Sequence, residues 1–147
     1  MVHHWIPFLN INYNLGVDGF SVLFIVLSCY TNVVVILAAW RTVNYKVGQY
    51  LAIFLISTGI MNGCFAATDS ILFYFFFEAS LVPMYLGIGI WGGKNKFYAG
   101  VKFFLYTLAG SVFFLLAIIV MAYISNTTSI TDLDNYFFDQ GIQKWLW

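Results

Sequence analysis

SILFYFFFEASLVPMYLGIGIW, residues 70–91, decides the architecture, because Glu78 is the only charged residue in it. A hydrocarbon core about 30 Å thick is crossed by about 20 apolar residues in a helix. The run lacks the period-two alternation of a barrel strand, so it reads as a membrane-spanning helix with a carboxylate near its middle. A charge at that depth costs roughly 3 kcal/mol or more, which makes Glu78 a candidate for handling protons or ions.

Working outward, the 147 residues are 62% hydrophobic and 8% charged, a composition that excludes a soluble domain. Residues 17–40, 47–68 and 98–124 supply three further spans, giving an all-α membrane protein of four transmembrane helices. Residues 1–16 read as an interfacial arm. They have neither a basic start nor the short apolar stretch of a cleavable leader. Residues 125–147 form a tail on the same side of the membrane.

The connections at 41–46, around Asp69 and at 92–97 are short, so sequential helices should pack antiparallel. Arg41 and Lys46 fall in one connection and Lys94 and Lys96 in another, while the arm and the Asp69 turn have no Lys or Arg. The positive-inside rule places both basic loops on the cytoplasmic or matrix side and both termini outside. Asp132, Asp134 and Asp139 in the tail weigh little in that rule, and Lys144 is a mild exception.

With a rise of about 1.5 Å per residue, Glu78 lies about 12 to 14 Å from the outer end of its helix and about 20 Å from the inner end. Lys102, the other charge within a span, differs from it in depth by about 14 Å, too far for a lysine stem to bridge. Snorkelling to the inner interface and a place on a proton path are the two readings of Lys102. Glu78 thus has no partner within the chain. It is either protonated, paired with a cation on another polypeptide, or a neutral hydrogen-bonding contact between helices.

Polar groups cluster around this carboxylate by helical spacing. Pro83 has no N–H, so the Ala79 carbonyl loses its helical donor. Tyr74 and Tyr85 share the face of Glu78. Lys102, Tyr106 and Gly110 form a stripe in the fourth span, with Thr107 and Ser111 beside it, and Ser21, Ser28 and Asn32 form another in the first. Three stripes aimed at one carboxylate would make a half-channel, although each alone also fits small-residue packing.

Other features have plainer readings. Gly59 and Gly63 make a GxxxG pattern that permits close helix approach. Asp18 and Asp69 stand where a carboxylate caps a helix N-terminus. Cys29 and Cys64 lie at different depths and read as buried small hydrophobes with no metal spacing. His3 and His4 have no third ligand nearby. Asn126 opens an Asn-Thr-Thr triplet of a kind common by chance.

The strings GVDGFSVL at 16–23, FYFFFEASLVPMYLGIGIWGG at 73–93 and KFFLYTLAGS at 102–111 resemble the subunit 4 family, the antiporter-like membrane subunits of NADH:ubiquinone oxidoreductase (respiratory complex I). The resemblance runs from Trp5 to Trp147. It implies that the four spans correspond to helices three to six of a fourteen-helix fold. It implies that Glu78 belongs to a central chain of charged groups moving protons, paired with a lysine on a broken seventh helix. The position of Lys102 would lie toward the matrix-side half-channel.

The resemblance also implies that this chain itself holds no cofactor. NADH, FMN, iron-sulfur clusters and ubiquinone would act elsewhere in the complex, with other membrane subunits and lipids as partners and no nucleic acid. The family's first two helices and everything from the broken helix onward have no counterpart among residues 1–147. The expectation is a split subunit, completed by separate chains. A mitochondrial inner membrane is the expected location, with a bacterial plasma membrane as the alternative. A small four-helix proton-coupled exporter, dimerising around Glu78, is the competing class, and a purely structural subunit is a third.

Overall fold

The structure is a computed structural model that describes the backbone of residues 3–6 and 11–146 and the side chains of residues 14–139 and 141–144. Four helices form its body: α1 (Gly19–Ala39), α2 (Val47–Ala66), α3 (Ser70–Trp91) and α4 (Lys96–Ser125). All four are long and apolar enough to cross a membrane. The main packing is sequential, α1 on α2, α2 on α3 and α3 on α4. Short connections between antiparallel neighbours impose this order.

The surface is the inverse of a soluble bundle. Phe20 and Leu23 of α1, Trp40 at its C-terminal cap, and Phe113 and Tyr123 of α4 are exposed, while Leu72, Leu81 and Ile118 are buried. Such faces suit lipid tails or neighbouring membrane helices. Close helix approach occurs at α2–α3, where an ideal Cβ on Gly63 would lie 2.8 Å from the Phe76 ring. Gly59 has nothing within 4 Å of that position, so the GxxxG pattern is half used within this chain.

Both acidic caps are made. The Ser21 N–H donates to Asp18 at 3.2 Å, and Asp69 accepts from the Ile71 and Leu72 N–H groups at 2.9 and 3.2 Å. The hydrogen bond from the Ser21 side chain, then its backbone N–H, hold the exposed Asp18 carboxyl below its ordinary value of 3.8. A depressed carboxylate stabilises the folded state above its unfolded value and loses that contribution as pH falls through the folded one. Amides in the first turn of α1 should therefore exchange faster below about pH 4. Asp18→Asn should abolish that acid dependence, which hydrogen exchange would read.

The two basic loops share one end. The Trp91 indole N–H donates to the Tyr45 carbonyl at 2.9 Å, and the Tyr50 and Trp91 rings meet edge to face at 5.2 Å. Lys96 Nζ donates to the Ile90 carbonyl at 2.9 Å, placing a cation at the negative end of α3. Lys46 takes the left-handed conformation, with φ 51°, at the entry to α2. Asn126 does the same at the exit of α4, with φ 56°, a role asparagine tolerates better than most residues.

The opposite end gathers the arm, the α2–α3 turn and the tail. In the arm, β1 (His3–Ile6) and β2 (Ile11–Tyr13) pair antiparallel, with His3 opposite Tyr13 and an irregularity between His4 and Ile6. Trp5, Ile6, Ile11 and Tyr13 are strand-favouring residue types. The His3 and His4 side chains lie outside the described residues. In the tail, α5 (Ile130–Asp134) and α6 (Gln140–Leu146) are short, and the Tyr136 hydroxyl reaches the Ile124 carbonyl at 3.5 Å. Helix α2 stops at Ala66 rather than Thr68 because Ala67 is extended and bridges to Leu15.

Candidate functional site at Glu78

Glu78 sits on the face of α3 that meets α4. Tyr74, one turn earlier, packs its ring 6.5 Å from that of Phe114, and Tyr85, two turns later, lies 5.8 Å from Phe104. Gly100 makes room for Tyr85, since an ideal Cβ there would lie 3.3 Å from Tyr85 Cε2. Interpolating between these contacts at equal rise sets Glu78 level with the turn from Thr107 to Ser111. Ser111 is 2% exposed, in keeping with that seam.

The hydroxyls at this level are engaged along their own helix. Thr107 donates to the Phe103 carbonyl at 2.7 Å and Ser111 to the Leu108 carbonyl at 3.0 Å. Glu78 Oε2 is fully buried and has no hydrogen-bond partner among the described residues. A buried carboxylate oxygen without a donor is costly, and such exceptions concentrate where a proton, water or missing partner acts. Only one of the anticipated hydroxyl clusters reaches Glu78's level.

The other stripes go elsewhere. Ser28 donates to Asn62 Oδ1 at 2.5 Å, and the Asn62 amide reaches Cys29 Sγ at 3.5 Å, so the polar side of α1 addresses α2. A 330 Å³ cavity lies between those helices, bordered by Ser28, Asn32, Ser57 and Thr58. Asn32 Oδ1 is buried there without a partner among the described residues. Cys29 is exposed and Cys64 partly buried, rather than both buried, and both cysteines are free.

Lys102 is exposed on the side of α4 turned away from α3, its Nζ 5.8 Å from the centroids of the Tyr98 and Tyr106 rings. The α3-facing positions Gly100, Phe104 and Ser111 lie about half a helical turn away from it. Glu78 and Lys102 are therefore not brought together within this chain, and the three stripes do not converge. Thr128 entered the sequence reading only as the last residue of the Asn-Thr-Thr triplet. Its hydroxyl donates to the buried Asp69 carboxylate at 2.5 Å, across 59 residues of sequence. The triplet pattern carried no signal of that contact.

Four apolar helices of membrane-spanning length, with a buried, unpartnered carboxylate oxygen in the third, define a multi-pass membrane protein, and comparison with known proteins gives the family. The chain belongs to the NADH:quinone oxidoreductase/Mrp antiporter transmembrane family, whose model matches residues 67–147. Residues 1–68 match the amino terminus of NADH-ubiquinone oxidoreductase chain 4. NADH-quinone oxidoreductase subunit M of Rhodobacter capsulatus is 46% identical over 134 residues, which are 91% of this chain and 26% of that protein.

NADH-ubiquinone oxidoreductase chain 4 of Arabidopsis thaliana is 40% identical over 97% of this chain and 29% of its own length. A chain in the structure of respiratory complex I from Thermus thermophilus with bound NADH superposes with a TM-score of 0.82 at 29% identity, covering 99% of this chain and 31% of that one. The chain thus spans roughly a quarter to a third of the relatives it matches. Bacterial and plant relatives fit a bacterial plasma membrane or a mitochondrial inner membrane.

Proposed function

We propose that this chain is part of the proton-translocating membrane arm of NADH:ubiquinone oxidoreductase, with Glu78 as the group that takes up and releases the proton. The observation that carries the reading is the buried, unpartnered Oε2 of Glu78 on the α3–α4 seam. A carboxylate in such a place is neutralised either by a proton or by a nearby cation, and alternation between those two states moves a proton.

The cation comes from the remaining helices of the fold, which lie outside residues 1–147. The family match supports this reading, because the chain spans only part of its relatives. Lys102, flanked by Tyr98 and Tyr106, serves inner-side access to the path through those same outside elements. Nicotinamide, flavin, iron-sulfur and quinone chemistry belongs to other subunits and reaches Glu78 as a change in local electrostatic field.

A native gel of source membranes solubilised in mild detergent tests membership. The chain should run in a large band with NADH dehydrogenase activity, and mass spectrometry of that band should find its peptides there. A small homodimer without that activity would contradict the proposal and favour an exporter.

A further inference from the structure

The turn between α2 and α3 is clamped from both sides. On one side the Gly16 N–H donates to the Ala66 carbonyl at 2.9 Å and the Thr68 hydroxyl to the Asn14 carbonyl at 2.9 Å. An ideal Cβ on Gly16 would lie 2.7 Å from Thr68 Cγ2, so this approach needs glycine. On the other side the Ser70 N–H donates to the Thr128 carbonyl at 2.9 Å and the Ile130 N–H to the Thr68 carbonyl at 3.0 Å.

Asp69 lies at the centre of this clamp and is 3% exposed. Its Oδ1 accepts from the Ile71 and Leu72 N–H groups, the second and third of α3, and its Oδ2 accepts from the Thr128 hydroxyl. A cap alone needs neither burial nor a second oxygen, as the exposed Asp18 illustrates on α1. Asp69 joins the start of α3 to the segment that follows α4, and Glu78 lies between those two helices, about 13 Å further along α3.

Beyond Glu78 the helix is weakened, because buried Pro83 denies the Ala79 carbonyl its donor. The part of α3 that carries Glu78 is thus anchored at its outer end, while its hydrogen-bond ladder is interrupted on the inner side. A slip of one residue in the first turn would rotate Glu78 by about 100°, off the α4-facing side.

We propose that Asp69 is a positioning residue which, through Thr128 and the first turn of α3, fixes the height and rotation of Glu78 on the α3–α4 seam. The inference rests on the reading of Glu78 as the proton-carrying group. The test uses Asp69→Ala, Asp69→Asn, Thr128→Val and Glu78→Gln in the whole oxidoreductase in native membranes. It measures assembled complex by native gel and NADH-driven proton pumping per unit of assembled complex.

Pumping should fall about fivefold in Asp69→Ala, because removing a cap shifts the balance between placed and misplaced Glu78 by about that factor. Asp69→Asn should restore it, since the amide oxygen still caps α3 and the amide N–H₂ donates to the Thr128 hydroxyl. Asp69→Ala that assembles and pumps normally would overturn the inference, as would Asp69→Asn that pumps as poorly as Asp69→Ala. Should Asp69→Ala fail to assemble, Thr128→Val, which keeps the cap, decides: reduced pumping supports the inference and unchanged pumping overturns it. A silent Glu78→Gln would overturn the underlying reading, whereas an impaired Glu78→Gln beside a normal Asp69→Ala would overturn this inference alone.

Discussion

Glu78→Gln should assemble at close to the normal level and pump protons poorly. The two side chains have nearly the same shape, so the seam formed by Tyr74, Tyr85, Phe104 and Phe114 stays filled. The substituted amide is a buried group lacking a partner, as the native Oε2 is, at a cost of about 1–3 kcal/mol. The contacts along three sequential helix pairs remain. What disappears is the ability to bind and release a proton. Removing a positioned proton-transfer group slows its step by about 100-fold or more. NADH-driven acidification, measured beside the amount of complex on a native gel, should therefore separate the two effects. A glutamate acting only as a hydrogen-bonding contact between helices would leave pumping unchanged.

Gly63→Leu should have the largest effect on folding. A Cβ at Gly63 already falls 2.8 Å from the Phe76 ring, and a leucine adds three more carbons into the α2–α3 contact. Overpacking of this kind costs about 1–3 kcal/mol and, in a chain held together by sequential helix contacts, α2 would separate from α3. Abundance of the assembled complex should drop several-fold. Gly59→Ala, four residues away, meets nothing within 4 Å in this chain and should leave the α2–α3 contact intact. Phe76→Ala combined with Gly63→Leu should recover part of the loss by clearing the ring. Equal abundance of Gly63→Leu and the unsubstituted chain would contradict the close approach of α2 and α3.

Much of the architecture was readable because a bilayer leaves so few solutions. Apolar length alone identified four helices, and the unbroken run around Glu78 needed no tertiary information. Short loops dictated sequential packing, and Asp18 and Asp69 announced helix starts by residue type. Periodicity also put Tyr74, Glu78 and Tyr85 on one face, which the structure turns toward α4.

What a single helix cannot reveal is which neighbour its polar face addresses. Ser28 and Asn32 are spaced as a stripe, yet the direction of that stripe depends on how α1 lies on α2, and it points to Asn62. Lys102, Tyr106 and Gly110 share a stripe that turns away from α3 for the same reason. Gly59 and Gly63 look alike in sequence and differ only in what approaches them. The Asp69–Thr128 contact spans 59 positions and joins two loops, where hydrophobic periodicity carries no information. Strand pairing in the arm likewise depends on β1 and β2 meeting each other.

Redox-induced infrared difference spectroscopy of the assembled oxidoreductase tests the proton-carrying role of Glu78 most directly, because it observes carboxyl groups gaining and losing protons. If Glu78 carries the proton, a carboxylic-acid signal changes on turnover and is absent from the Glu78→Gln complex. A difference spectrum identical in the two complexes would contradict it.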